Sequence, residues 1–310
     1  MRSNRESYDD NSLCIDLMGI QFRNPIMLAS GFLGISLDVF HRLYRAGVGG
    51  IVTKSISGNS IEGYRNPTIV SISEGTYVNA VGLSNPGAKA FSQEISCNKD
   101  LPIFVSLVGS SDKDFPYLIK HFDNLNILGY EINLSCPHVS KMGMDVGDDP
   151  EMVSRIIKVI KSETKKPITI KVGIGNTDVV KIAQVAKESG ADAITAINTV
   201  RAMVIDIENR IPVLSNKIGG LSGKSIKPIA VRSVYEISKS VDIPVIGCGG
   251  IFCWEDAIEF MLAGASAVQL GSVIAYEGIS IFSTIISGMK QYLERKNLTL
   301  QEVTGLAHKS

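Results

Sequence analysis

Eight short runs rich in β-branched residues recur along the chain, and most are followed by a stretch of helical periodicity. This alternation constrains the fold more than any other feature. The runs are "IMLAS" (26–30), "GIVTKS" (50–55), "PIFVSL" (102–107), "YEINLS" (130–135), "PITIKV" (167–172), "AITAIN" (193–198), "IPVIGC" (243–248) and "SAVQLG" (266–271). Between them lie amphipathic segments at 150–164, 178–190, 227–240 and 254–265, with apolar residues at i, i+3 and i+4. "KESGADAI" and "MLAGASAV" each close a helix on Gly and hand the chain to the next run. Strands that have lost polar alternation are buried on both faces, which is the signature of a parallel sheet covered by helices. The pattern predicts an α/β fold, a (β/α)8 barrel of the TIM type, with a doubly wound open sheet as the alternative.

"LCIDLMGIQFRNP" (13–25) reads as a small hairpin closing the bottom of the barrel. With no linker or repeat in view, 13–310 is expected to form one domain behind a flexible polar tail, 1–12. Two connections, 56–86 and 199–226, are long enough to be functional, and they are expected to cover the C-terminal face.

Charge narrows the partners. Lys+Arg 31 balances Asp+Glu 31, so no global basic field points to nucleic acid or an anionic membrane. No window approaches the roughly 18 consecutive apolar residues of a spanning helix, and the polar N-terminus lacks a signal core; a cytoplasmic location is expected. The five cysteines (Cys14, Cys97, Cys136, Cys248, Cys253) are scattered without a C-x-x-C spacing. That pattern speaks against a disulfide framework, a zinc site or an iron–sulfur cluster held by this chain alone.

Chemistry in such a barrel sits at the C-terminal ends of its strands, and those ends are polar here. They carry Ser30, Lys54, Ser55, Asn133, Lys171, Asn198 and Thr199, then Gly247-Cys248-Gly249-Gly250 and Gly271-Ser272. Glycines in the last two loops let backbone N–H groups approach an anion, and these are the loops where barrels commonly bind phosphate. The alternative is a pair of plain tight turns, but the coincidence in the two appropriate loops favours phosphate. Lys54 and Lys171 interrupt apolar strands. Singly, each reads equally as half of a structural ion pair; together, beside a phosphate site, they point to a cofactor that develops negative charge, such as a reduced flavin. Asn79, Asn133 and Asn198 suit a ligand with alternating imide N–H and C=O groups, although for any one of them alone a turn residue is the better reading.

Cys136, in "NLSCPH", follows the fourth run. A cysteine titrates nearer neutrality than serine, so it suits general-base work at pH 7; the alternative is an inert buried thiol. The loop beyond it, "SCPHVSKMGMDVGDD", has Gly143 and Gly147 and few large apolar residues, a composition that suits a lid.

"NLSCP", "TKS", "NAVGLSN" and the stretch 201–237, "RAMVIDIENRIPVLSNKIGGLSGKSIKPIAVRSVYEI", resemble class 1 dihydroorotate dehydrogenases, most closely the class 1B branch. The likeness covers about residues 13–290. It implies FMN as cofactor and oxidation of dihydroorotate to orotate in pyrimidine synthesis. It implies Cys136 as the base at substrate C5. Lys54, Asn79, Ala80, Val81, Gly82, Leu83, Asn133, Asn198 and Thr199 would then be the substrate contacts. Ser30, Lys54, Ser55, Asn133, Lys171, Ile197 and Gly223 would line FMN, with Gly249, Gly250, Gly271 and Ser272 at its phosphate. It further implies a homodimer, joined in this branch by a second subunit that carries FAD and an iron–sulfur cluster and passes electrons to NAD. His138 stands where many class 1 members have Asn, and Val81 and Lys224 are smaller departures. "NLSCPH" followed by "MGM" and "DDPEMV" also resembles the pyrimidine-reducing domain of dihydropyrimidine dehydrogenase, so uracil or thymine reduction is the alternative chemistry. A flavin-binding scaffold with an inert Cys136, or a Schiff-base lysine enzyme, are readings from other classes.

Overall fold

The computed structural model describes residues 11–134 and 146–309. Eight strands close into a barrel: β1 (Ile26–Leu28), β2 (Gly50–Val52), β3 (Ile103–Leu107), β4 (Gly129–Asn133), β5 (Ile168–Val172), β6 (Ala193–Ala196), β7 (Val245–Cys248) and β8 (Ala267–Leu270). Every neighbouring pair is parallel, and β8 returns to β1 with Val268 opposite Ile26 and Leu270 opposite Leu28. The outer layer holds α1 (Leu37–Arg45), α2 (Ala88–Ile95), α3 (Phe115–Phe122), α4 (Pro150–Glu163), α5 (Val179–Glu188), α6 (Lys227–Ser240), α7 (Trp254–Leu262) and α8 (Ile281–Lys296). This is the barrel that the alternation predicts, and not the open sheet.

Local chemistry sets the element ends. The Asp149 carboxylate accepts from the N–H groups of Glu151 and Met152 and starts α4, with Pro150 at its first turn. Asp178 starts α5 in the same way, accepting from Val180 N–H. Several strands stop short of the sequence expectation at their C-terminal ends, although Ala29, Thr53 and Ile197 still donate to the neighbouring strand. Lys54 N–H donates to Gly34 O at 2.8 Å rather than to a neighbouring strand. β3, β4 and β5 are buried along their whole length, which is why their sequences lost polar alternation.

Side chains alternate between the barrel interior and the helix layer. At the N-terminal end the interior is apolar: Met27, Val52, Phe104, Ala193, Ile246 and Ala267 meet Leu17 and Phe22 of the hairpin Ile15–Leu17/Ile20–Phe22. Phe22 stacks on Phe104 with ring centroids 6.3 Å apart. The hairpin is therefore the bottom plug expected from 13–25.

The two long connections make a structure that periodicity did not reveal. Ile69–Ser73 and Thr76–Asn79 from the first pair with Ile218–Gly223 and Val200–Met203 from the second in one antiparallel sheet. Asn79 lies opposite Gly220, so segments 141 residues apart become neighbours.

Truncating the plug, Phe22→Ala, should leave a cavity against Phe104 and lower unfolding stability by about 3–5 kcal/mol. The midpoint of guanidinium unfolding, with an unchanged slope, is the measurement.

Candidate functional site

Above the apolar plug the barrel interior turns polar. Ser106, Glu131, Thr169, Lys171, Thr195 and Gln269 are all buried there, where barrels ordinarily carry bulky branched residues. Lys171 lies between Asn133 on β4 and Thr195 on β6 in the sheet register. Its ammonium donates to Gln269 Oε1 at 3.0 Å and stands 3.6 Å from Glu131 Oε1. Burial weighs most heavily against its charge, but the adjoining Cys248 and Glu131 outweigh it, and Lys171 titrates above the ordinary lysine range. Burial pushes the Cys248 thiol up, against the pull of the Lys171 ammonium beside it.

Lys54, at the end of β2, is treated differently. It is half-buried, and burial alone holds its ammonium below the ordinary lysine range. Among the described residues it has no counter-ion. A desolvated cation left without an anion is a site for one.

A chain of polar side chains crosses the same end of the barrel. Ser30 Oγ and Ser55 Oγ are 3.3 Å apart, and Ser55 Oγ is 3.0 Å from Ser106 Oγ. Asn133 Nδ2 donates to Ser55 at 2.9 Å, Asn198 Nδ2 donates to Asn133 Oδ1 at 3.2 Å, and Thr199 N–H donates to Asn198 Oδ1 at 2.8 Å. Residues from the ends of β1, β2, β3, β4 and β6 thus join in one network. Ile197 is buried beside it, its N–H bonded to Cys248 O at 2.8 Å.

The loop sheet brings Asn79 to this end. Its Nδ2 donates to Gly220 O at 3.2 Å, and a Cβ on Gly220 would collide with the Thr199 side chain. Only glycine permits that approach of sheet to site. Ala80, Val81, Gly82 and Leu83 continue from Asn79 as a half-buried loop whose Tyr64 N–H to Val81 O bond is 3.1 Å.

The glycine loops adjoin one another, since β7 and β8 are neighbours with Cys248 opposite Gln269. Gly250 adopts φ +78°, and a Cβ there would stand 2.7 Å from Lys227 Cβ and 2.9 Å from Gly223 O. Gly223, Gly249 and Gly250 therefore form one close-packed backbone surface, with Gly271 and Ser272 on the next loop. Lys227 beside it is already neutralised by Asp256 at 2.7 Å and Glu259 at 2.8 Å. The arrangement can take an anionic group at the glycines and a second anion at Lys54.

Cys136 and His138, with the lid composition around them, lie outside the described residues. The two flanks of that segment meet: Gly147 N–H donates to Leu134 O at 2.9 Å. Among the described residues no group of side chains is arranged to hold a metal ion, and no helix is long and apolar enough to cross a membrane. A cleft of about 450 Å³ between Pro116, Tyr117, Lys120, Asp123 and Glu163 gathers no comparable set of buried polar groups. Sequence reasoning missed Glu131, Gln269, Thr169, Thr195 and Ser106. The signal for Glu131 was present, since it is a charge inside an apolar run, the very feature that singles out Lys54 and Lys171.

The sequence model of the family described as Dihydroorotate dehydrogenase matches residues 12–293. A relative from Pyrococcus furiosus, "Dihydroorotate dehydrogenase B (NAD(+)), catalytic subunit", is 44% identical over 300 residues, spanning 96% of this chain and 99% of its own. The protein of the same description from Pyrococcus abyssi is 44% identical over 297 residues, 95% and 99% of the two chains. That of Methanocella arvoryzae is 42% identical over 293 residues, 94% and 96% of the two.

An unneutralised Lys54 should cost the ligand-free chain stability. Because folding depresses its pKa, the unfolded chain binds more protons, and the cost is present at neutral pH and shrinks as pH rises toward 10.5. Lys54→Met should therefore raise the Tm of the ligand-free protein at pH 7, with a gain that fades toward alkaline pH. Thermal unfolding of both proteins across that range is the check.

Proposed function

The chain belongs to the dihydroorotate dehydrogenase family, and from that premise we propose that it oxidises dihydroorotate to orotate in de novo pyrimidine synthesis, with one FMN per chain. The observation that carries the reading is Lys54: a half-buried ammonium without a counter-ion among the described residues, on the same barrel end as the Ser55–Asn133–Asn198 network and the glycine surface. These residues fit the cofactor. The glycines leave backbone where a Cβ would intrude, and the two lysines would offset the negative charge that a flavin gains on reduction.

Gly249, Gly250, Gly271 and Ser272 would hold the phosphate. Ser30, Ser55, Ile197 and Gly223 would line the cofactor, and Lys171 would sit by its ring. When bound, FMN supplies the two-electron acceptor for the hydride at substrate C6. Lys54, Asn79, Asn133, Asn198 and Thr199 bind the substrate's carboxylate and ring, with the 80–83 loop against it. Paired amides can donate to ring carbonyls and accept from ring N–H groups, which fixes the ring orientation. Cys136 accepts the C5 proton at its sulfur. Loss of that proton together with the C6 hydride leaves the C5=C6 double bond of orotate.

Electrons are proposed to continue to NAD through a second subunit carrying FAD and an iron–sulfur cluster; the relatives' names describe catalytic subunits linked to NAD(+). A homodimer core in the cytoplasm completes the proposal. The hairpin Ile205–Asp206/Ile211–Pro212 supports a second copy of the chain, because Ile205, Ile207 and Ile211 are 57%, 81% and 57% exposed.

Anaerobic addition of dihydroorotate to the purified yellow chain should bleach the flavin band; a yellow protein that ignores dihydroorotate would overturn the substrate assignment. Cys136→Ser should keep the flavin and slow bleaching on the order of 10²–10⁴-fold at pH 7. It should also lack the rise in rate through the cysteine range near pH ~8.5. Gly250→Val, with its Cβ against Lys227 and Gly223, should purify without flavin, as read from its visible spectrum.

A further inference from the structure

Glu131 is fully buried in the middle of β4, inside the barrel. Its Oε2 accepts from Gln269 Nε2 at 2.6 Å and from Thr195 Oγ1 at 3.1 Å. Thr195 spends its proton on Glu131, so the 3.1 Å contact between Thr169 and Thr195 hydroxyls must run from Thr169 to Thr195. Each of these donors leads to the carboxylate. Its Oε1 has no hydrogen bond among the described residues and stands 3.6 Å from Lys171 Nζ. Gln269 closes a three-membered ring: its amide nitrogen donates to Glu131 while its amide oxygen accepts a hydrogen bond from the Lys171 ammonium at 3.0 Å. That fixes which way the amide faces.

We propose that Glu131 is a positioning residue, which through Gln269 fixes the Lys171 ammonium in both charge and direction at the floor of the proposed flavin pocket. The proposal rests on the FMN reading for Lys171's position beside the cofactor ring. A buried ion pair is no better for stability than well-packed apolar side chains, and this barrel uses apolar packing one layer below. The polar layer therefore serves the group it surrounds. The titratable groups facing Lys171 are Glu131 from β4 and Cys248 from β7; β6 and β8 present the neutral Thr195 and Gln269. Of the two, Glu131 is the one tied to Lys171 through Gln269, with its free carboxylate oxygen 3.6 Å from the ammonium.

The test compares the wild type with Glu131→Gln, with Lys171→Met, and with an exchange that moves the carboxylate across the ring, Glu131→Gln together with Gln269→Glu. In the flavin-free proteins, Tm is followed against pH. Glu131→Gln leaves Lys171 charged and unpaired at neutral pH, so its deficit should shrink as pH rises toward 10.5, the ordinary lysine value. The exchange should remove that pH dependence, because position 269 already touches Lys171. In the FMN-loaded proteins, the flavin midpoint potential is followed between pH 6 and 9. Glu131→Gln should add a bend worth about a tenfold change in relative affinity for the reduced cofactor, about 30 mV for a two-electron couple. Lys171→Met combined with Glu131→Gln should lack the bend. Wild-type pH profiles in Glu131→Gln, in both Tm and potential, would overturn the proposal. If Glu131→Gln does not fold, the exchange decides: wild-type profiles support the proposal, and a profile matching Lys171→Met overturns it. A wild type that takes up no FMN sinks the cofactor reading, while the flavin-free Tm series still decides the role of Glu131.

Discussion

The closed parallel ladder is the constraint from which the site follows. Once β8 pairs with β1, all eight C-terminal strand ends are held on one rim, and alternate side chains must enter a single narrow interior. Whatever polar residues the strands carry there are forced into contact with one another. The bottom of that interior needs no chemistry and is filled by Leu17, Phe22, Phe104 and Ile246. The middle and upper levels hold Glu131, Gln269, Thr195 and Lys171, whose polar groups are satisfied chiefly by one another. The transition from an apolar floor to a polar upper interior separates the part that folds the barrel from the part that works.

The two lysines show two solutions to the same electrostatic problem. Lys171 is given its counter-charge within the fold, so its charge does not depend on a ligand. Lys54 is given none among the described residues, and burial holds its charge at a disadvantage until an anion arrives. A site that stores part of its stabilisation for its ligand is less stable empty than it might be, a common trade between stability and function. The proposed assignment, a cofactor ring above Lys171 and an anionic substrate at Lys54, follows that division.

Backbone, not side chains, builds the remaining walls. Gly220 lets the loop sheet approach Thr199, and Gly223 and Gly250 pack against each other where no Cβ fits. The sheet made from the two long connections carries Asn79 to the rim, and the second connection also holds the separate hairpin whose exposed isoleucines are the proposed contact between copies of the chain.

The sequence by itself determined the alternation of strand and helix, the hairpin plug, the barrel and the polar character of the strand ends. Each is written in local periodicity, and local periodicity survives without tertiary context. The charges at Lys54 and Lys171 were legible for the same reason, as polar interruptions of apolar runs. Glu131 was equally visible in "YEINLS", but its meaning was not: it depends on Lys171 forty positions along and on Gln269, 138 residues away. The pairing of 69–79 with 200–223 was hidden likewise, since short strands in long loops carry little pattern and their register is set by partners far along the chain. Only the tertiary structure decided which lysine has a counter-charge among the described residues and which does not, because burial and neighbours, rather than residue type, set the energy of a charge.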